Sequence, residues 1–233
     1  MQVHIKGAFK EYDGRKVLGI DELSFLGGKV YVVLGLNGSG KSTLLNCIAG
    51  INTLDRGSIL YNGESRINSI RKNISIVTQS PYLFNSTVLE NIISGLKYRK
   101  INKEDIHFRV KKYMNYFHID KLFSKNVRNI SGGEAAKTAI IRAAVLETEL
   151  SILDEPTAAM DVESTLEAEK LIKDMTSNNR TVIMVTHDMY QAERIADYVI
   201  FMDKGKVIES GSKTKVFKNP EHPLVKTVLN RGN

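Results

Sequence analysis

The stretch Gly35-Leu-Asn-Gly-Ser-Gly-Lys-Ser-Thr43 fits the pattern G-x-x-x-x-G-K-[ST]. Its glycines allow the backbone N–H groups of a loop to converge on phosphates. The apolar run Val30–Leu34 before it is typical of a strand buried on both faces. The helix-forming run Thr43–Ala49 after it would add the positive end of a helix dipole. Strand, loop and helix together predict phosphate binding, against the alternative of a glycine-rich turn that only caps a helix.

Each polar group of this loop has an expected role. Lys41 would reach the β- and γ-phosphates, and the Ser42 hydroxyl would ligate Mg²⁺. Cys47, on the helix behind the loop, is expected to be a small buried packing residue and not a redox-sensitive thiol. The residues predicted to contact the phosphates are Gly35, Asn37, Gly38, Ser39, Gly40, Lys41, Ser42 and Thr43.

Similar buried-strand runs recur downstream, at residues 150–153, 181–185 and 198–202. Helix-like patterns at about 163–178 and 188–196 separate them. This alternation predicts an α/β fold with a parallel sheet.

Three other segments depart from this alternation. Residues 1–30 carry short apolar alternations broken by glycine-containing turns, which predicts antiparallel strands. Residues 81–128 are polar, basic and without strand runs, and are expected to form a mainly helical insertion. One closing helix is expected near Pro223–Leu229.

Length, composition and charge limit the classes to which the protein can belong. With 233 residues, 42% of them hydrophobic, the chain should form one domain with an elaboration, which excludes disordered and collagen-like classes. No apolar stretch approaches the roughly 20 residues that span a bilayer, the N-terminus has no secretion signal, and there is a single cysteine. A cytoplasmic location is therefore expected. The net charge of +7 leaves open nucleic acid, an anionic membrane surface or a phosphate-bearing ligand.

Two strands are followed by residues suited to phosphoryl chemistry. Asp154 and Glu155 end the run that begins at Leu150. The first would hold Mg²⁺, and the second would orient or deprotonate an attacking water. His187 follows the strand 181–185 and would contact the γ-phosphate, or else Asp188 caps the next helix and His187 is incidental.

The segment Ile130-Ser-Gly-Gly-Glu134 precedes another helix-like run. Ser131 and Glu134 have the spacing of a capping box, which by itself explains a helix start. It does not explain the consecutive glycines Gly132 and Gly133, which favour close approach of the backbone to a phosphate.

These motifs, in this order, resemble the ATP-binding cassette (ABC) ATPases over about residues 3–230. GLNGSGKST is similar to the family's Walker A, SILDEPTAAMD to its Walker B and D-loop, and NISGGE to its LSGGQ signature. The resemblance implies a P-loop NTPase core with an N-terminal antiparallel β subdomain and an α-helical subdomain. It implies one domain over 1–233, with 1–80 and 146–233 as core and about 81–145 as the helical part.

The resemblance also implies roles for individual residues. Tyr12 would stack on adenine, and Asp161 would lie at the interface of a homodimer. Ser131, Gly132, Gly133 and Glu134 would bind the ATP held by the partner cassette. The catalytic residues implied are Glu155, as general base, with His187, Lys41 and Gln79. The Mg²⁺ ligands implied are Ser42, Gln79 and Asp154.

Some residues depart from the family pattern. Glu134 replaces the usual glutamine of the signature, and Ala135-Ala136 replaces a polar or basic pair. A carboxylate at 134 could repel the partner's nucleotide and weaken ATP-driven dimerisation. Ser151 interrupts the apolar Walker B run, and the D-loop reads TAAMD where TSALD is common. No catalytic atom is lost, so hydrolysis is still expected.

Competing functions fit less well. Asn102-Lys-Glu-Asp105 spells a guanine-reading N-K-x-D pattern, but in a basic, helix-like segment upstream of Asp154. DNA-repair or chromosome-maintenance ATPases insert a long coiled coil between Walker A and Walker B, and translation-factor cassettes come in tandem pairs. Neither feature is present here, so no nucleic-acid partner is expected.

The function expected is the ATPase subunit of an ABC transporter, peripheral on the inner face of the membrane, with separate permease subunits and a solute-binding protein. The tail at 216–229 resembles importer cassettes, which favours an importer over an exporter. Residues 79–99 resemble cassettes of oxyanion importers, such as those for tungstate or phosphate. A basic run lies where the family docks on its permease, or forms a solvated helix face: Lys97, Arg99, Lys100, Lys103, Arg109, Lys111 and Lys112.

Overall fold

A computed structural model describes residues 1–65 and 70–230. The range 1–80 expected for the core therefore contains four positions, 66–69, outside the described residues. The strands are β1 Val3–Tyr12, β2 Arg15–Phe25, β3 Val30–Gly35, β4 Arg56–Tyr61, β5 Ile74–Val77, β6 Leu150–Asp154, β7 Thr181–Val185, β8 Tyr198–Asp203 and β9 Lys206–Ser212. The helices are α1 Lys41–Ile48, α2 Val88–Tyr98, α3 Lys103–Met114, α4 Gly132–Ala144, α5 Val162–Asp174, α6 Met189–Ile195, α7 Lys213–Lys218 and α8 Pro223–Asn230. Short 3₁₀ turns lie at Arg71–Asn73, Asp120–Leu122, Val127–Asn129 and Ser177–Asn179.

The larger sheet has the strand order β5-β6-β7-β3-β8-β9 in the described residues. The pairs from β5 to β8 are parallel, as predicted, and only β9 runs antiparallel at the edge. Because β3, β6 and β7 are parallel neighbours, their carboxyl ends meet at one edge of the sheet. That edge is where open α/β sheets place their ligands.

Both faces of this sheet are buried. Val32 and Leu34 of β3 pack on one face, against the helices that include α2, α4 and α5. Tyr31 and Val33 pack on the other face, against α1 and the antiparallel strands. This two-sided burial explains why β3 is continuously apolar and does not alternate.

A second sheet, in the order β2-β1-β4, is antiparallel. It confirms the antiparallel strands predicted for residues 1–30. Together with the larger sheet it encloses α1, whose Cys47 is buried as predicted, and burial raises the pKa of that thiol to about 11. Cys47 is therefore a protonated packing residue at neutral pH.

Residues 81–128 are mainly helical, as predicted, and contain α2 and α3. The N-K-x-D pattern there has a local explanation. The Asn102 side chain accepts a hydrogen bond from the Asp105 N–H (2.8 Å) and so caps the start of α3. The pattern is a helix start and not a base-reading loop. Among residues 1–65 and 70–230, no helix combines the length and apolar character needed to cross a membrane.

Several side chains of the basic run make contacts within the chain and are not free to bind a partner. Arg99 and Arg109 donate hydrogen bonds to the Leu146 carbonyl at the C-terminal end of α4 (3.5 and 3.4 Å). Lys112 pairs with Glu147 (2.9 Å), and Lys97 with Glu90 (2.7 Å).

Glu147 is the centre of this junction, since the Tyr113 hydroxyl also donates to it (2.8 Å). Burial opposes the charge of Glu147, but these hydrogen bonds outweigh burial and hold its pKa below the usual range. Three of the seven basic residues, Arg99, Arg109 and Lys112, therefore tie α2 and α3 to the α4–β6 connection, while Lys97 pairs within α2.

Candidate functional site

The phosphate loop leaves the sheet at the end of β3 and enters α1 at Gly40. Gly40 has φ +97°, and a Cβ there would lie 2.7 Å from the Val17 carbonyl oxygen, so only glycine fits. The loop borders a cleft of about 530 Å³. The cleft is lined by Val17, Asn37, Gly38, Ser39, Gly40, Lys41, Ser42, Thr43, Gln79, Glu155 and His187. Of the predicted loop residues, only Gly35 lies outside this lining.

Lys41 is almost fully buried, at 6% exposure. Its Nζ donates hydrogen bonds to the carbonyl oxygens of Gly35 (2.8 Å) and Leu36 (3.0 Å). Burial lowers its pKa, and the neighbouring Glu155 and Asp154 oppose that shift. The ammonium group is thus held at the floor of the cleft, facing two carboxylates.

Asp154 ends β6 and Glu155 follows it, and the two carboxylates have different partners. The Ser42 side chain lies near the Asp154 carboxylate. Burial raises the pKa of Asp154, while Ser42 and Lys41 lower it. Asp154 and Ser42 therefore lie together at the start of α1.

Glu155 has both carboxylate oxygens engaged. His187 Nε2 lies 2.6 Å from Oε1, and Gln79 Nε2 donates to Oε2 at 3.1 Å. The backbone of Glu155 adopts φ +47°, and its N–H donates to the Val185 carbonyl (3.0 Å). An unfavourable backbone conformation in a non-glycine residue is common at functional sites. Here it turns the carboxylate out of β6 toward the cleft.

The segment after β7 forms the helix cap expected in one interpretation and also brings His187 to the cleft. Asp188 caps α6 by accepting a hydrogen bond from the Gln191 N–H (2.9 Å). His187 is brought to the cleft beside Glu155 by the same turn.

Tyr12, at the end of β1, is partly exposed and does not line the phosphate cleft. Its hydroxyl accepts a hydrogen bond from Asn52 Nδ2 (2.9 Å). Val17 on β2 does line the cleft, and it was not among the residues predicted from the sequence. An isolated valine on a predicted strand carries no motif, so the sequence held no signal for it.

The signature segment forms the capping box predicted for it. Ser131 Oγ accepts from the Glu134 N–H (3.2 Å), and Glu134 Oε2 accepts from the Ser131 N–H (2.7 Å). Gly133 lies against Ala159, since a Cβ there would be 3.1 Å from its carbonyl oxygen. None of residues 131–134 belongs to the lining of the described phosphate cleft.

Asp161 also has a local role. Its side chain accepts a hydrogen bond from the Ser164 N–H (2.7 Å) and caps α5. That backbone hydrogen bond lowers the pKa of Asp161 and keeps it charged.

Comparisons with known proteins agree with this geometry. The family model described as "ABC transporter" matches residues 20–158, more than half of the chain. The tungstate uptake system ATP-binding protein TupC of Peptoclostridium acidaminophilum is 36% identical, over 90% of this chain and 98% of its own. The L-cystine import ATP-binding protein TcyC of Bacillus subtilis (strain 168) is 30% identical, over 97% of both chains.

A solved structure gives the same result for the fold. The structure of cbiO1 from Clostridium perfringens, part of the ABC transporter complex cbiONQ, superposes with a TM-score of 0.82. It is 31% identical, and the match covers 98% of this chain and 94% of that one. The chain therefore belongs to the ABC transporter family and is an ATP-binding subunit that hydrolyses ATP.

Proposed function

We propose that this chain drives an ABC importer as one of two identical ATPase subunits, bound peripherally to separate membrane permease subunits. The main support for ATP hydrolysis at this site is the position of the Glu155 carboxylate, which lies between His187 and Gln79 at the phosphate-loop cleft. A general base needs its carboxylate within reach of the attacking water, beside the γ-phosphate.

In this proposal each cleft residue has a task. The N–H groups of the loop and the Lys41 ammonium bind the β- and γ-phosphates. Glu155 takes a proton from the attacking water. His187 donates to the γ-phosphate and fixes the Glu155 carboxylate. Tyr12 stacks on adenine from the end of β1, outside the phosphate cleft, where the residue is 44% exposed.

The residues at the start of α1 suit Mg²⁺. Ser42 and Asp154 lie near each other and present oxygen atoms, the ligands that Mg²⁺ prefers. Gln79 adds an amide oxygen at the same cleft. Among the described residues no cluster of three or more His, Cys, Asp or Glu could hold a metal. One carboxylate with substrate phosphates is the usual arrangement for Mg²⁺. When bound, the ion neutralises charge on the β- and γ-phosphate oxygens.

A second copy would complete the site. Ser131, Gly132 and Gly133 lie at the N-terminus of α4, which favours anion binding, yet they do not reach the cleft of their own chain. In a head-to-tail homodimer they would bind the partner's ATP, with Asp161 at the interface. This arrangement accounts for the two consecutive glycines, which the capping box does not require.

Glu134 should weaken this dimer. The hydrogen bond from the Ser131 N–H lowers its pKa, so it is charged at neutral pH and would lie near the partner's γ-phosphate. Glu134→Gln keeps an oxygen to accept that hydrogen bond and removes the charge. With a non-hydrolysable ATP analogue, the dimer dissociation constant in sedimentation should fall roughly tenfold. Glu104→Gln, on α3, is the control. Equal dimerisation in both variants would contradict a repulsive Glu134.

The helical part, about residues 81–145, is the docking surface for the permease, and 1–80 with 146–233 forms the ATP-binding core of the same domain. The contacts of Arg99, Arg109 and Lys112 hold the helical part on the core and reduce the basic run available to a partner. Lys100, Lys103 and Lys111 are the members left for docking. A solute-binding protein would deliver the cargo on the opposite side.

The cargo proposed is an inorganic oxyanion such as tungstate or phosphate. TupC, the tungstate relative, supports this class. The test is reconstitution of this chain with the permease encoded beside it, in vesicles with the neighbouring solute-binding protein. Mg²⁺-dependent ATPase activity should rise severalfold when that binding protein carries tungstate or phosphate. Thermal stabilisation of the binding protein only by an amino acid or a sugar would overturn the cargo. ATPase activity indifferent to the permease would overturn the transport function.

A further inference from the structure

The turn between β8 and β9 touches the phosphate loop, although no motif includes it. The Gly205 N–H donates a hydrogen bond to the Ser39 carbonyl oxygen (2.9 Å). On its other side, the Gly205 carbonyl oxygen accepts from the Gly19 N–H of β2 (2.8 Å). Gly205 therefore joins the antiparallel sheet to the phosphate loop through two backbone hydrogen bonds.

This contact leaves no room for a side chain. Gly205 has φ +77°, and a Cβ on it would lie 2.3 Å from the Val17 carbonyl oxygen. The same carbonyl lies 2.7 Å from a Cβ built on Gly40. The backbones of Gly40, Val17 and Gly205 are thus stacked in direct contact, and Val17 and Gly40 line the phosphate cleft.

The hydrogen bond to Ser39 has a consequence for the next amide. The Ser39 carbonyl and the Gly40 N–H belong to one planar trans peptide unit, so they point in opposite directions. Holding the carbonyl toward Gly205 therefore turns the Gly40 N–H away from Gly205, and Gly40 is a residue that lines the phosphate cleft. The direction of a phosphate-binding amide is in this way set by a residue of another hairpin.

We propose that Gly205 is a positioning residue for ATP binding: its N–H fixes the Ser39–Gly40 peptide so that the Gly40 N–H faces the phosphates. This role rests on the proposed phosphate-binding function of the loop. Gly205 also connects the phosphate loop to the proposed adenine site at Tyr12. It contacts β2, and β2 pairs with β1, which ends at Tyr12.

The chain provides a matched control in another turn. Asn62-Gly63 has φ values of +50° and +88°, close to the +45° and +77° of Lys204-Gly205. A Cβ on Gly63 meets no atom within 4 Å among the described residues. Gly63→Ala therefore imposes the same backbone strain as Gly205→Ala without a steric clash and without a contact to the phosphate loop.

The experiment compares these two variants with the wild type by hydrogen–deuterium exchange without nucleotide, and by ATPase kinetics. In Gly205→Ala, hydrogen–deuterium exchange of the peptide covering residues 35–43 should be faster. KM for ATP should rise at least about tenfold, because a small displacement of a binding group greatly weakens its contribution. Gly63→Ala should match the wild type in both. Equal behaviour of the two variants would overturn the proposal.

A measurement on the wild type covers the case in which Gly205→Ala does not fold. In NMR-detected hydrogen exchange, the Gly205 amide should be protected, because it donates a hydrogen bond to the Ser39 carbonyl. Its exchange rate should be similar to the rates of the amides of residues 35–43. Exchange of Gly205 without protection would overturn its positioning role. A wild type that binds no ATP at all would instead contradict the proposed function, so the two failures are distinguishable.

Discussion

Glu155→Gln should abolish ATP turnover and leave ATP binding intact. Glutamine keeps the size of the side chain and an oxygen to contact His187, but it cannot accept the proton of the attacking water. Loss of a general base costs typically 10²–10⁴-fold in rate, so kcat should fall by at least about 10²-fold. Steady-state hydrolysis, with equilibrium binding of ATP, measures both quantities.

The oligomeric state of Glu155→Gln gives a second measurement, because the variant should bind ATP without hydrolysing it. Because ATP stays bound at both composite sites, dimers should accumulate with ATP and Mg²⁺ in size-exclusion chromatography, and fall apart with ADP. Glu193→Gln removes an exposed carboxylate on α6 and is the control, with wild-type turnover expected. Hydrolysis by Glu155→Gln at near the wild-type rate would show that Glu155 is not the base.

The parts of the fold that the sequence predicted are those with strong local patterns. β3, β7 and β8 are mainly apolar runs, and β6 is apolar between Leu150 and Leu153 except for Ser151, because the sheet is buried on both faces. This pattern can be recognised in the sequence alone. β4, β5 and β9 were missed. β5 has only four residues, Ile74–Val77, and β9 carries polar residues because it lies at the sheet edge.

The site was predictable where chemistry needs particular residue types in sequence. Lys41, Asp154, Glu155 and His187 were each identified from a short motif next to an apolar run, and the parallel strands bring these motifs to one sheet edge. The contacts that came from the sheet order were not predictable. Gly205 meets Ser39 only because β8 pairs with β3, and Arg109 meets the end of α4 only through helix packing. No local pattern encodes either contact.

The second large effect is expected from Lys41→Ala. The Lys41 ammonium is the cation buried against Asp154 and Glu155, and its Nζ also ties Gly35 and Leu36 together. Alanine removes the charge that binds the β- and γ-phosphates. It also leaves two carboxylates without their cation, which repels ATP. Affinity for ATP should fall roughly 10²-fold or more, since each lost charge-assisted contact in a desolvated site is costly. Hydrolysis should fall to background.

Lys29→Ala and Lys41→Arg separate charge from position in this effect. Lys29 is half exposed near Asp197, so its loss changes the net charge equally and should leave ATP affinity unchanged. Arginine keeps the charge at 41, but its planar fork does not match an ammonium bonded to two carbonyls, so Lys41→Arg should also lose ATP binding. Wild-type affinity in Lys41→Arg would mean that the charge suffices wherever it sits. Wild-type affinity in Lys41→Ala would mean that the backbone amides bind the phosphates unaided, and the electrostatic part of the proposed site would be wrong.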